Sequence, residues 1–89
     1  MYRGYKSFRK KENVYEYNIY KEIRELVIAA RDRAGLTQKE LAAKSGLTQS
    51  NISNIEKGTT RPTIDSLKKI ADATGKRLVI QFGDKEVML

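Results

Sequence analysis

The stretch Leu36-Thr-Gln-Lys-Glu-Leu-Ala-Ala-Lys-Ser-Gly-Leu-Thr-Gln-Ser-Asn-Ile-Ser-Asn-Ile-Glu-Lys-Gly-Thr-Thr-Arg-Pro62 decides how this chain folds. It spells two short helices, each with its own start and stop. Thr37 is an N-cap residue with Glu40 three positions on, so hydroxyl and carboxylate can each accept from an otherwise orphaned backbone N–H. Leu41 and Ala42 form the apolar side of this helix. Gly46 stops it, because glycine takes the left-handed backbone without a Cβ clash. Thr48 caps the next helix, and Leu47 and Ile52 stand at the two positions of a hydrophobic staple. Gly58 closes it.

Two helices this short and this tightly joined make a helix-turn-helix, whose second helix is shaped to enter a DNA major groove. Wound at about 100° per residue with Ile52 and Ile55 facing inward, the second helix turns Ser50, Asn51, Ser53, Asn54 and Lys57 outward. Gln49 projects from its exposed first turn. Amides and hydroxyls of this kind can read base edges, Gln and Asn by paired hydrogen bonds to adenine. A solvated polar face is the plain alternative, and the capped helix and turn in front argue against it. Glu56 is the anomaly. The same wheel puts it on the inward side, where an unpaired carboxylate is costly.

Outward from this stretch, Ile19, Ile23, Leu26, Val27, Ala30 and Ala34 recur at the spacing of a buried helical face, predicting a first helix from about Glu16 to Ala34. Arg31 falls one turn after Val27 on its buried edge. Thr59 to Pro62 form a loop. Thr63 opens a further helix that buries Ile64, Leu67, Ile70 and Ala71 and stops at Gly75. The period then changes. Residues 77–82 are rich in apolar and β-branched side chains, with Leu78, Ile80 and Phe82 on one face, so a short strand is expected. One strand cannot stand alone. Pairing with its own copy across a two-fold is the first choice, making Leu78, Val79, Ile80 and Phe82 a dimer interface. The N-terminal segment and another protein's sheet edge are the other candidate partners.

The domain reading is therefore a basic arm over residues 1–14, a helix-turn-helix domain over 15–75, and a strand with tail over 76–89. The chain has 89 residues, enough for one small domain. Its net charge of +7 suits a polyanion, but the charge is unevenly spread. Arg3, Lys6, Arg9, Lys10 and Lys11 lie in the first 11 residues with no acid, leaving 13 bases against 11 acids elsewhere. Tyr2, Tyr5 and Phe8 interleave with those cations. The arm can track phosphate or a minor groove, dock on a protein, or remain a solvated tail, and we expect no DNA role for it. There is neither histidine nor cysteine. Disulfides and thiolate metal sites are thereby excluded, and the commonest general base is missing. With no clustered carboxylates either, the reading is of a non-enzyme without metal or cofactor. Apolar runs are short and no signal-peptide pattern opens the chain, so a soluble cytoplasmic protein with no membrane contact is expected.

The segments Gly35-Leu-Thr-Gln-Lys-Glu-Leu-Ala42, Gly46-Leu-Thr-Gln-Ser-Asn-Ile-Ser-Asn-Ile-Glu56, Gly58 and Arg61-Pro62 resemble the Xre/Cro-type helix-turn-helix family, the fold of the lambdoid phage repressors. The resemblance spans about Tyr20 to Thr74. It implies a mainly α, repressor-like bundle. Gln49, Ser50 and Asn54 match base-contacting positions, Asn51 a phosphate-contacting one, and Gln38 the backbone clamp at a helix N-terminus. Ser53, Lys57, Thr59 and Arg61 join them as phosphate candidates, Arg61 foremost in the loop because a guanidinium grips phosphate with two bonds. Arg31 and Glu56 match positions that oppose each other as a structural ion pair. In its closing strand and N-terminal extension the chain is also similar to small antitoxins of the HigA-like and HipB-like kinds.

The expectation is thus a homodimeric transcriptional regulator of double-stranded operator DNA, most specifically an antitoxin that represses its own operon and binds a cognate toxin. The rivals are a stand-alone repressor of phage or mobile-element origin, and a protein-interaction module that has lost DNA binding.

Overall fold

A computed structural model describes residues 18–84, which form four helices: α1 (Ile19–Arg33), α2 (Gln38–Ser45), α3 (Gln49–Lys57) and α4 (Ile64–Ala73). The arm over 1–14 and the last five residues of the tail lie outside the described residues. Every helix begins at a polar side chain that accepts from its first turn. Asn18 Oδ1 accepts from the Tyr20 and Lys21 amides at 3.0 and 3.2 Å. Thr37, Thr48 and Thr63 each accept through Oγ1 from the amide three residues on, at 3.0 Å in all three cases. At Thr37 the reciprocal bond is also made, the Thr37 amide donating to Glu40 Oε1 at 2.8 Å. Each such cap is worth about 0.5–2 kcal/mol.

The helices close on a core of Val27, Leu41, Ala42, Ile52, Ile55 and Ile70. Ile23, Leu36, Leu47, Leu67 and Ala73 pack around it. α2 packs on α3 and α4, and α1 lies along α3. Leu41 and Ile52 are fully buried, so the two helices of the motif are joined through the centre of the domain. Among the described residues no helix is long and apolar enough to cross a membrane.

Four expectations are corrected. First, α1 starts at Ile19, because Asn18 has an extended backbone and caps it; Glu16 lies outside the described residues. Second, the apolar stripe of α1 is only partly buried: Ile19, Leu26 and Ala34 are exposed, Leu26 at 60%. Third, Ile64 is exposed as well. Ile19 and Ile64 are the first residues of their helices, and no described helix covers them, which a helical wheel does not register. Leu26 instead borders an open apolar groove between α1 and α4, edged by Leu67, Ala71 and Val79. Fourth, the described part of the C-terminal segment, 76–84, forms no strand. A strand needs a neighbour to satisfy its backbone, and none of the described residues pairs with this segment. Without a pleat the alternation of Leu78, Ile80 and Phe82 also lapses. Leu78 is half-buried against the groove, whereas Val79, Ile80 and Phe82 are exposed, Phe82 completely.

Candidate nucleic-acid interface

The turn between α2 and α3 is made by residues 46–48. Gly46 sits at φ +80°, and its amide donates to the Ala42 carbonyl at 3.0 Å. That left-handed residue reverses the chain within three positions, so α3 leaves at an angle set by the Leu47 contact with the core. At the far end Gly58, at φ +78°, closes α3 through paired bonds: its own amide to Ile55 O at 3.1 Å and the Thr59 amide to Asn54 O at 3.0 Å. The end of α2 and the end of α3 are therefore both defined by left-handed backbone that few residues other than glycine adopt, while the start of α3 is set by the Thr48 cap.

Between these ends the helix has two unlike faces. Ile52, Ile55 and Glu56 are buried. Gln49, Ser50, Asn54 and Lys57 are exposed, while Asn51 and Ser53 are half-buried at the margin. The only acid of α3 is thus turned inward, leaving amides, hydroxyls and one ammonium on its open side. α4 contrasts with it. There Lys68 pairs with Asp72 at 2.8 Å and Lys69 with Asp65 at 3.2 Å, so the exposed charges of that helix cancel.

Glu56 accepts three hydrogen bonds. Arg31 Nε donates to Oε2 at 2.7 Å and Arg31 Nη2 to Oε1 at 3.0 Å, a two-pronged pair across α1 and α3. Gln38 Nε2 donates to Oε1 at 3.0 Å. The remaining Arg31 Nη1 donates to the Leu36 carbonyl at 2.9 Å, with Asp32 Oδ1 3.6 Å away. Burial pushes the Glu56 carboxyl up, but the hydrogen bonds from Arg31 and Gln38, with the Arg31 charge, outweigh it and hold it below the ordinary carboxylate value. The Arg31 guanidinium is correspondingly raised, chiefly by its hydrogen bond to Glu56.

The other expected site residues occupy the rim. Gln38 opens α2 with one N–H bound to Glu56, which leaves its second N–H and the Gln38 and Lys39 amides for a ligand, the Glu40 amide being taken by Thr37. Asn51 is the one described side chain with a buried polar atom lacking a partner, its Oδ1. Thr59 Oγ1 lies 3.2 Å from Asn54 O and 3.4 Å from Asn54 Oδ1, so the loop threonine braces the asparagine. The Arg61 guanidinium stacks over the Tyr20 ring, 4.7 Å from its centroid.

Two of these contacts were not foreseen from sequence: Gln38 to Glu56, and Tyr20 to Arg61. The signal for the second is a stripe beside the aliphatic one on α1. Tyr20, Arg24, Val27 and Arg31 recur at helical spacing, and both Tyr20 and Arg31 turn out to face α3 or the loop behind it.

A short capped helix behind a glycine turn, polar outside and anchored by a single inward ion pair, defines the DNA-reading type of helix-turn-helix. Residues 27–80 match the family model described as Helix-turn-helix, and the chain belongs to that family, in its Xre/Cro form. An uncharacterized HTH-type transcriptional regulator of Haemophilus influenzae is 36% identical over 69 residues, covering 78% of this chain and 70% of that protein. A second regulator of that description, from Sinorhizobium fredii, is 48% identical over 52 residues. These make up 58% of this chain, which spans only 26% of that relative's length. Among solved structures, the wild-type restriction-modification controller protein C.Esp1396I superposes with a TM-score of 0.65 at 31% identity, covering 68% of this chain and 80% of that one. C.AhdI from Aeromonas hydrophila, another such controller, gives 0.64 at 26% identity over 68% of this chain and 92% of its own.

Proposed function

We propose that this protein is a transcriptional regulator that binds double-stranded operator DNA through α3. The observation that carries the reading is the acid-free outer face of α3, with Glu56 turned inward and neutralised by Arg31. In this mechanism Gln49, Ser50 and Asn54 read base edges, while Gln38, Asn51, Ser53, Lys57, Thr59 and Arg61 hold the backbone and fix the register. Regulation follows from occupancy of the promoter. The exposed Val79, Ile80 and Phe82, with Leu78, join two copies into a homodimer that matches a two-fold operator.

Two specialisations compete. An antitoxin repressing its own operon is favoured by the apolar segment 78–82, a surface suited to a toxin as well as to a second copy. A controller-type regulator is favoured by the likeness to C.Esp1396I and C.AhdI. Anisotropy with a duplex from the protein's own promoter and a random duplex of equal length tests the common core. Binding that weakens steeply with salt and prefers the promoter supports it. Equal binding to both, or none, rejects it. Co-purification with the product of the adjacent gene would favour the antitoxin reading, and its failure the controller reading.

A further inference from the structure

The N-terminal half of α1 contributes to the same edge of the molecule as the loop after α3. Tyr20 presents its ring to Arg61, with 4.7 Å between guanidinium carbon and ring centroid. One turn along α1, Arg24 crosses the end of α3. A Cβ built on Gly58 would meet Arg24 Cδ at 3.5 Å and Nε at 3.8 Å. Gly58 thus leaves just the room in which the half-buried Arg24 lies against the cap.

The electrostatics give this arrangement a purpose. The last carbonyls of a helix carry partial negative charge, the wrong sign for a phosphate. α3 would enter a groove by its N-terminal half, so its carbonyl end approaches the sugar-phosphate backbone. Lys57 in the last turn and Arg24 across the cap reverse the sign there. Arg61 adds a guanidinium whose orientation is fixed by the Tyr20 ring, so less freedom is lost when it bonds. We propose that Arg24 of α1 and Arg61 of the loop form a second backbone clamp, binding phosphate oxygens beside the bases that α3 reads. Tyr20 is its positioning residue. The clamp rests on the DNA-binding reading above but adds contacts from a helix outside the helix-turn-helix.

The test is a salt series of anisotropy titrations on the full chain, with the promoter duplex and the random duplex. Replacing Arg24 by Gln should lower the slope of log affinity against log salt by about 0.9 and weaken both duplexes by the same factor. R24K, which keeps the charge, should retain the slope even if it shifts the melting temperature. Y20F keeps the ring and should bind as wild type. Y20L should bind more weakly, and that penalty should vanish in the R61Q background, since Tyr20 acts through Arg61. An unchanged slope in R24Q, with K57Q lowering it, overturns the clamp and leaves α3 as the reader. A Y20L penalty that persists beside R61Q also overturns it. Wild-type protein that binds neither duplex overturns the functional reading and the clamp together.

Discussion

Removing the carboxylate at position 56 should cost this domain a large share of its stability. Glu56 is 8% exposed, and it is the sole acid facing Arg31 from α3. In Glu56→Ala, Arg31 keeps its charge with a side chain only 17% exposed, and its remaining partners are the Leu36 carbonyl and an Asp32 oxygen at 3.6 Å. Gln38 Nε2 loses its acceptor at the same time. Breaking one side of a buried pair typically costs about 3–5 kcal/mol. A domain of this size holds about 5–15 kcal/mol in all. At about 4–8 °C per kcal/mol, the melting temperature should fall by at least ~12 °C. Replacing both partners together, Arg31→Met with Glu56→Leu, should recover most of that loss, because no charge is then stranded. The pair also predicts an acid limb. The Glu56 carboxyl is depressed in the folded state, so its stabilisation is whole above the unfolded carboxylate pKa of about 4.3 and is lost as pH falls through the lower folded value. Thermal melts by circular dichroism across pH 2–7 read both effects. A melting temperature within ~3 °C of wild type at neutral pH would refute the reasoning.

Gln49→Ala should cost about 1–3 kcal/mol on promoter DNA and far less on random DNA, and equal losses by anisotropy would rule out base reading there. Ile80→Asp places a charge in the proposed seam and should give monomers with weakened promoter affinity; a dimer persisting in sedimentation would move the interface elsewhere. Thr48→Ala removes the acceptor for the Asn51 amide and should destabilise by about 0.5–2 kcal/mol in urea melts, with Thr48→Ser close to wild type.

The helix-turn-helix was legible because its signals are local. A threonine cap, a glycine stop and a staple each act within a few residues, and α2 and α3 lie where those residues put them. Glu56 was legible as an inward acid for a related reason: in a nine-residue helix with two core isoleucines, the neighbouring phase is fixed. Leu26 and Ile64 were misread because burial depends on which helices reach that far, a property of the assembled bundle. The strand over 77–82 was inferred from side chains alone. Its backbone has no partner among the described residues, so composition that suits a strand does not by itself produce one. The bond from Gln38 to Glu56 was not legible, because it spans 18 positions and follows from no local pattern.

The four caps have a kinetic consequence. Each is closed by residues two or three positions away, so the helix starts can form before the bundle does. The Arg31–Glu56 pair, by contrast, bridges 25 positions and requires α1 and α3 to be docked and dried. Caps therefore belong to the early part of the folding route and the ion pair to its end. Substitution at Thr48 should slow folding, whereas substitution at Glu56 should leave the folding arm of the chevron unmoved and accelerate unfolding, the reverse pattern in stopped-flow traces counting against this order. If that order holds, the inward pair governs how long the domain stays folded far more than how fast it folds.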